Sequence, residues 1–247
     1  MPYEPHPVFK TPPDRTTVWR YMDFLKFADL LERRTLWFSR LDKLEDPREG
    51  RLTPRTKEYL RRRQEGDGET IIHGHEQLRS SQFVNCWHAS KGQSAAMWRL
   101  YSPTGYAIAI GSSVGRLKKA LAGTPDQVMI GRVTYVDSNR FSGREPRNLF
   151  DPSLIKDRSF SHEHEVRLLL WVLLRPGAAN GDWNTLTSRL ADLPPGMRVP
   201  VDISMLIKDV LVDPHAEAWV TELIAKLLER AGIRTAVRQS DLYRLPT

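Results

Sequence analysis

Hydrophobic positions along this chain change period repeatedly, and the changes mark out an alternation of strands and helices. Residues 17–22, Thr-Val-Trp-Arg-Tyr-Met, are β-branched and aromatic and predict a strand. Phe24, Phe27, Ala28, Leu30 and Leu31 then recur at helical spacing, so a short amphipathic helix follows. Leu36-Trp37-Phe38-Ser39 predicts the next strand, leading into the polar turn Glu45-Asp46-Pro47-Arg48-Glu49-Gly50. Residues 51–80 read as helical, basic and exposed, broken at Gly66-Asp67-Gly68. Strands are expected at 82–88, 105–110, 133–136, 166–173, 199–201 and 209–212, with a helix over 114–121. Ser94 is placed to cap a helix through Met97, Trp98 and Tyr101. Pro176-Gly177, Asn180-Gly181 and Pro194-Pro195-Gly196 predict a loop or β-connection over 175–198. The strongest helical pattern covers 216–231, with Val220, Leu223, Ile224, Leu227 and Leu228 on one face and Gly232 where a helix C-terminus needs it. A strand over 235–237 closes the chain. The pattern predicts an α+β (mixed α/β) domain over residues 15–247, a central, mostly antiparallel sheet flanked by helices. A proline-rich extended arm over 1–14 precedes it.

Chemistry concentrates in Glu163-His164-Glu165-Val166-Arg167-Leu168. If the whole run is a strand, Glu163, Glu165 and Arg167 share one face. Adjacent carboxylates repel, which raises the pKa of at least one and suits them to stabilise a developing cation or act as a general base. The same residues are compatible with a solvated edge on which Arg167 neutralises one Glu. Arg20, between Trp19 and Tyr21, has the makings of a phosphate or carboxylate clamp, or is an ordinary exposed arginine on an edge strand. Ser39 can bond a ligand or cap a turn. Trp87, Trp98 and Tyr101 can stack a nicotinamide or a base, although aromatics at helical spacing more often pack a core. Cys86-x-His88, His73-x-His75 and His162-x-His164 form no zinc signature, so no metal is expected. The absence of a P-loop, a Gly-x-Gly-x-x-Gly fingerprint and a His-Glu-x-x-His pair disfavours kinase, dinucleotide-dehydrogenase and zincin readings.

Composition adds constraints on partners and compartment. The 247 residues carry a net charge of +7, much of it around Arg61-Arg62-Arg63 and residues 116–119. Such a face contacts a nucleic-acid backbone or simply stays solvated. A single cysteine, no apolar run of membrane length and no apolar signal-like core at the N-terminus predict a cytoplasmic protein with no membrane partner. Oligomeric state is left open.

Several motifs in order carry a resemblance. Trp19-Arg20-Tyr21, Leu36-Trp37-Phe38-Ser39, Asp46-Pro47-Arg48-Glu49-Gly50, Cys86-Trp87, Met97-Trp98-Arg99-Leu100-Tyr101, Tyr106-Ala107-Ile108 and Glu163-His164-Glu165-Val166-Arg167 resemble the bacterial domain-of-unknown-function family 2971, over roughly residues 17–240. That family implies membership and no activity. The order of elements is also similar to that of ADP-ribosyltransferases: an early strand with Arg or His, a helix, a strand with a small hydroxyl residue, and a late strand with Glu-x-Glu. Here these are Arg20, the helix from Phe24, Ser39 and Glu163-x-Glu165, without a clear Ser-Thr-Ser motif on a middle strand. This second resemblance implies NAD as substrate and no metal. Arg20 would grip a pyrophosphate oxygen, with Tyr21 and Ser39 also in the NAD site. Glu165 would stabilise the oxocarbenium-like cation or bind the ribose 2′-hydroxyl, Glu163 would orient the acceptor, and Trp98 or Tyr101 would cover the nicotinamide. The function expected is an ADP-ribosyltransferase or NAD glycohydrolase in bacterial defence or conflict, with nucleic acid as acceptor. The alternatives are a non-catalytic nucleic-acid-binding module and a metal-independent hydrolase or nuclease using Glu163 and Glu165. As an edge carboxylate, Glu165 is expected to tolerate replacement by Gln with little cost in folding.

Overall fold

The computed structural model describes residue 3 and residues 5–63, 67–138, 149–175, 177–178 and 183–243. Among these, the strands are β1 (Thr17–Met22), β2 (Thr35–Arg40), β3 (Gln82–Ala89), β4 (Ile108–Ser113), β5 (Val128–Arg132), β6 (Thr134–Val136), β7 (Ile155–Asp157), β8 (Glu165–Trp171), β9 (Gly196–Pro200), β10 (Asp209–Val212) and β11 (Val237–Gln239). The helices are α1 (Phe24–Arg33), α2 (Pro54–Arg63), α3 (Gly68–Leu78), α4 (Ala95–Tyr101), α5 (Val114–Ala120), α6 (Trp183–Ala191), α7 (Ile203–Leu206) and α8 (Ala218–Arg230). Nine strands form one sheet in the order β11-β10-β4-β1-β3-β2-β9, with β8 also on β3 and β5 on β8. Every pairing in it is antiparallel except β10 with β11. The mixed α/β class and the mostly antiparallel sheet are as the pattern predicts, and β8 is an interior strand.

Strand alternation separates two cores. Val18 and Met22 of β1, Ile108 and Ile110 of β4, Trp87 of β3 and Val166 and Leu168 of β8 pack against Phe27, Leu30 and Leu31 of α1, Leu117 of α5 and Val220, Ile224 and Leu228 of α8. On the opposite face Trp19, Tyr21, Ala109 and Leu211 meet Met97 and Trp98 of α4. Further along that face Val84, Met129 and Leu169 meet Phe9, Leu41 and Phe150. Ser94 caps α4 as expected, its hydroxyl accepting from the Met97 N–H, and Gly232 is left-handed at φ 75°.

Several elements depart from the sequence pattern, β7 and α7 among them as short elements it does not predict. β5 is unpredicted because Val128 to Gly131 are all buried, so no alternation advertises the strand. The region expected as a loop holds α6, while the Asn180-Gly181 pair lies outside the described residues. β4 runs to Ser113 rather than stopping at 110, and the closing strand is β11 rather than 235–237. The proline-rich start docks on the sheet: Phe9 is buried in the core, and the Thr11 hydroxyl donates to the Ile130 carbonyl at 2.6 Å. The basic pair α2 and α3 is also less exposed than expected, sharing a small core of Leu52, Leu60 and Ile72.

One topological detail positions everything that follows. β8 occupies one edge of β3 along its length, from Gln82 to His88. On the other edge β1 pairs only at His88 and Ala89, and β2 only at Phe83 and Val84. Between these two short contacts β1 and β2 diverge, and the Asn85–Trp87 stretch of β3 has no paired strand on that edge.

Ile224, fully buried under the sheet on α8, tests the principal core. Ile224→Ala should lower the unfolding free energy in urea by about 2–5 kcal/mol, and an exposed substitution on the same helix, Glu222→Ala, by far less.

Candidate active site

The gap beside β3 opens into a cleft of about 690 Å³. Backbone groups that a strand would have paired are met there by side chains, as buried peptide groups require. Arg20 Nη1 donates to the Cys86 carbonyl at 2.6 Å, and Asn85 Nδ2 donates to the Trp37 carbonyl at 2.8 Å. Arg20 is thus no edge-strand arginine: it sits on an interior strand, half-buried, and reaches across the split. Among the described residues the Cys86 carbonyl is the one hydrogen-bond partner of its guanidinium. Burial lowers its pKa, opposed by the nearby Cys86, Tyr101 and Glu165.

Glu165 opens β8 and lines the cleft beside Cys86 and His88. Its backbone is fixed at both ends, the N–H donating to the Tyr135 hydroxyl at 2.8 Å and the carbonyl accepting from Val133 N–H at 3.0 Å. Its carboxylate is gripped by Arg167, with Nε to Oε1 at 2.7 Å and Nη2 to Oε2 at 3.0 Å. Arg167 is fully buried and donates also to the Ser153 carbonyl at 2.6 Å and Glu49 Oε2 at 2.9 Å. Lys156, on β7, joins the same group, 2.9 Å from Glu49 Oε1 and 2.6 Å from Glu163 Oε2. Burial by itself would raise the Glu165 pKa, but the Arg167 charge and hydrogen bonds, with help from Lys156 and the Cys86 thiol, bring it down to about 2. Glu165 is therefore a fixed anion.

Glu163 does not share a strand face with Glu165. It ends a 3-10 turn (Arg158–Glu163), and the chain then passes through His164 in the left-handed region at φ 41° before the strand begins. His88 Nδ1 holds the Glu163 carbonyl at 2.7 Å, and Ala89 N–H donates to the His164 carbonyl at 2.9 Å. The turn brings the Glu163 side chain to the cleft by a different route from the predicted alternation. Its pKa is raised, chiefly by burial, with Glu165 and Glu49 adding to the rise and Lys156 opposing it. Two carboxylates on one cleft are thus pushed in opposite directions, the arrangement from which acid–base roles are assigned.

Tyr21, Ser39 and Tyr101 also line the cleft. The Tyr21 hydroxyl accepts from Ser94 N–H at 3.0 Å, which ties β1 to the start of α4. Tyr101, at the end of α4, is 41% exposed. Trp98 is corrected: it is buried behind Tyr21, ring edge to face at 5.0 Å, and does not line the cleft. The Gln expectation is corrected too, because Glu165 is a buried ion-pair partner and not an edge carboxylate. On α2, Arg61 is paired with Glu69 and Arg62 with Glu58, while the Arg63 side chain lies outside the described residues.

The sequence reading missed Glu49, Lys156 and His88. Glu49 had a signal in the Gly that follows it: Gly50 is left-handed at φ 71°, and a Cβ there would lie 2.4 Å from Leu41 Cδ2. Arg167 had one as well, since an arginine inside the run Val166 to Leu170 demands buried counter-charges. Among the described residues no group of three or more His, Cys, Asp or Glu side chains is placed to hold a metal, and no helix is long and apolar enough to cross a membrane.

Acid stability should report the Glu165 pair. A carboxylate whose folded pKa falls from 4.5 to about 2 contributes fully above about pH 4.5, and the contribution disappears as pH drops towards 2. Urea unfolding across that window should show Glu165→Gln less stable at neutral pH by about 3–5 kcal/mol, the cost of breaking a buried pair, and less sensitive to acid than wild type. Identical pH dependence in the two proteins would remove Glu165 from the pair.

No family model matches the chain, and no curated protein matches it; the expected membership of the domain-of-unknown-function family 2971 is therefore not confirmed. Among solved structures it is similar to Thermus sp. 2.9 DarT in complex with NAD+, at 13% identity and a TM-score of 0.41, covering 93% of this chain and 98% of that one. It is likewise similar to Thermus sp. 2.9 DarT in complex with ADP-ribosylated ssDNA, at 14% identity and a TM-score of 0.40, covering 94% and 98% of the two chains. At that level of likeness, the chemistry of this chain has to be argued from its own cleft.

Proposed function

We propose that the cleft binds NAD and transfers its ADP-ribosyl group to a nucleophile. The observation that carries this reading is the convergence of Arg20, Glu163, Glu165 and Tyr101, from four separate elements, on one cleft at the split of the sheet. Its volume, about 690 Å³, lies within the range of small-molecule sites. In the reaction the bond between ribose C1′ and the nicotinamide nitrogen breaks, and its electron pair leaves with nicotinamide, which becomes neutral. Positive charge is left on the ribosyl carbon and ring oxygen. Glu165, ionised and fixed by Arg167, stabilises that charge without having to reorganise. The nucleophile adds at C1′ and gives up its proton to Glu163, whose raised pKa suits a base. Arg20 donates to the pyrophosphate, and Tyr101 covers the nicotinamide ring.

The acceptor we assign is a nucleic acid or another polyanion, supported by the net charge of +7 and placed in a bacterial cytoplasmic setting of defence or conflict. Arg61 and Arg62 contribute little to this, because each must first leave its glutamate. Binding of a single-stranded oligonucleotide should weaken steeply with salt. Replacing Arg61 and Arg62 by Ala should change the slope of log K against log salt by less than about one unit. A slope near zero in wild type would argue for a different acceptor.

Nicotinamide release from NAD tests the chemistry, with thermal melting run on each variant to separate activity from folding. Glu165→Gln should slow release about a hundredfold or more and melt lower than wild type. Glu163→Gln should retain its fold and lose transfer to the acceptor more than nicotinamide release. The wild-type transfer rate should fall with acid through a midpoint above the ordinary Glu value, the direction of the Glu163 shift. Equal release by wild type and Glu165→Gln would show that Glu165 is not catalytic. Absence of release together with absence of any NAD-dependent rise in melting would overturn the NAD reading.

A further inference from the structure

The mouth of the cleft carries an aromatic platform that the chemistry above leaves unused. Thr35, Trp37 and Ser39 alternate on β2 and all line the cleft; Leu36 between them also borders it but is buried, as is Phe38. β2 is an interior strand, paired with β3 on one side and β9 on the other, yet Trp37 is 41% exposed. The indole is seated, not loose. It lies over the backbone of Gly196 so closely that a Cβ there would come within 2.1 Å of the ring. Its own carbonyl is held by Asn85. Arg198, directly across the β2–β9 pairing, places its guanidinium 5.4 Å from the ring centroid. Asp29 of α1 pins that guanidinium at 2.5 Å.

A preformed indole surface, with the Asp29-paired guanidinium of Arg198 over part of it, fits a planar heteroaromatic ring. A dinucleotide has two such rings joined by a pyrophosphate. Tyr101 interacts electrostatically with Glu163, Glu165 and Arg20, so the ring whose bond is broken belongs at the Tyr101 end. The second ring then has one exposed aromatic partner left among the cleft-lining residues, Trp37.

We propose that Trp37 is the adenine seat of the cleft: the purine of the dinucleotide stacks on the exposed indole beside Arg198, and this contact selects a dinucleotide over nicotinamide mononucleotide. The assignment rests on the NAD reading above and adds a specificity determinant to it.

The test titrates ADP-ribose and nicotinamide mononucleotide separately into wild type, Trp37→Ala and Trp37→Phe by calorimetry, with melting as the folding control. ADP-ribose carries the adenine end without nicotinamide, and the mononucleotide carries the reverse. Trp37→Ala should weaken ADP-ribose about ten- to a hundredfold, the range of a lost base–aromatic stack, and leave the mononucleotide unchanged. Trp37→Phe should retain most of the ADP-ribose affinity. In nicotinamide release from NAD, Trp37→Ala should raise KM with little change in kcat. Unchanged ADP-ribose affinity in Trp37→Ala, or equal losses for both ligands, overturns the adenine seat while NAD turnover by wild type leaves the wider reading standing. Failure of wild type to bind either ligand or NAD sinks both.

Discussion

Arg167 is the interaction on which the cleft depends. A guanidinium with no exposure to water in the middle of a hydrophobic strand is tolerable only if every donor is met by charge or carbonyl. Here the partners come from three parts of the chain: Glu165 from the same strand, Glu49 from the turn after β2, and Ser153 from the segment before β7. Lys156 then bridges Glu49 to Glu163, which carries the constraint out to the second cleft carboxylate. Removing one member leaves a buried partner short of counter-charge, so the network fixes geometry more than it adds net stability. The carboxylate most useful for chemistry is also the one most firmly held.

The split in the sheet supplies the space that the network borders. A strand paired along both edges would leave no room at Cys86 for a ligand and no reason for an arginine to reach there. Because β1 and β2 each hold only one end of β3, the fold has an opening in its middle, bordered by α1 and α4. Arg20 closes part of it by bonding the Cys86 carbonyl. A ligand accepting from Arg20 therefore binds to a group that is already oriented by the backbone.

Much of this was legible in the sequence, for identifiable reasons. β1, α1, β2 and α8 announce themselves through local periodicity, and Ser94 and Gly232 mark helix ends by capping chemistry that acts over a few residues. Arg20, Ser39, Glu163 and Glu165 stood out from the order of elements, Tyr21 as the neighbour of Arg20 and Tyr101 as a stacking candidate, and all six line the cleft. Strand alternation, however, gave Glu163 the wrong path, because left-handed His164 interrupts the strand one residue before Glu165. Trp98 was indistinguishable from Tyr101 by spacing, and only packing against Tyr21 tells them apart. β5 hid in a run buried on both faces. Glu49 and Lys156 are distant in sequence from Glu165, and a buried network of long-range ion pairs has no local signature beyond the out-of-place arginine at its centre.

Cys86 gives the opening a further property. It is the single cysteine among 247 residues, it lines the cleft, and its thiol sits against Glu165 in surroundings that hold it protonated well above the ordinary range, burial being the main cause. A thiol-directed reagent has one cysteine target in this protein, and that target borders the space a ligand would fill. The raised pKa predicts slow alkylation at neutral pH, and any further slowing by a bound molecule would gauge occupancy without assuming what the occupant is or whether any bond in it is broken.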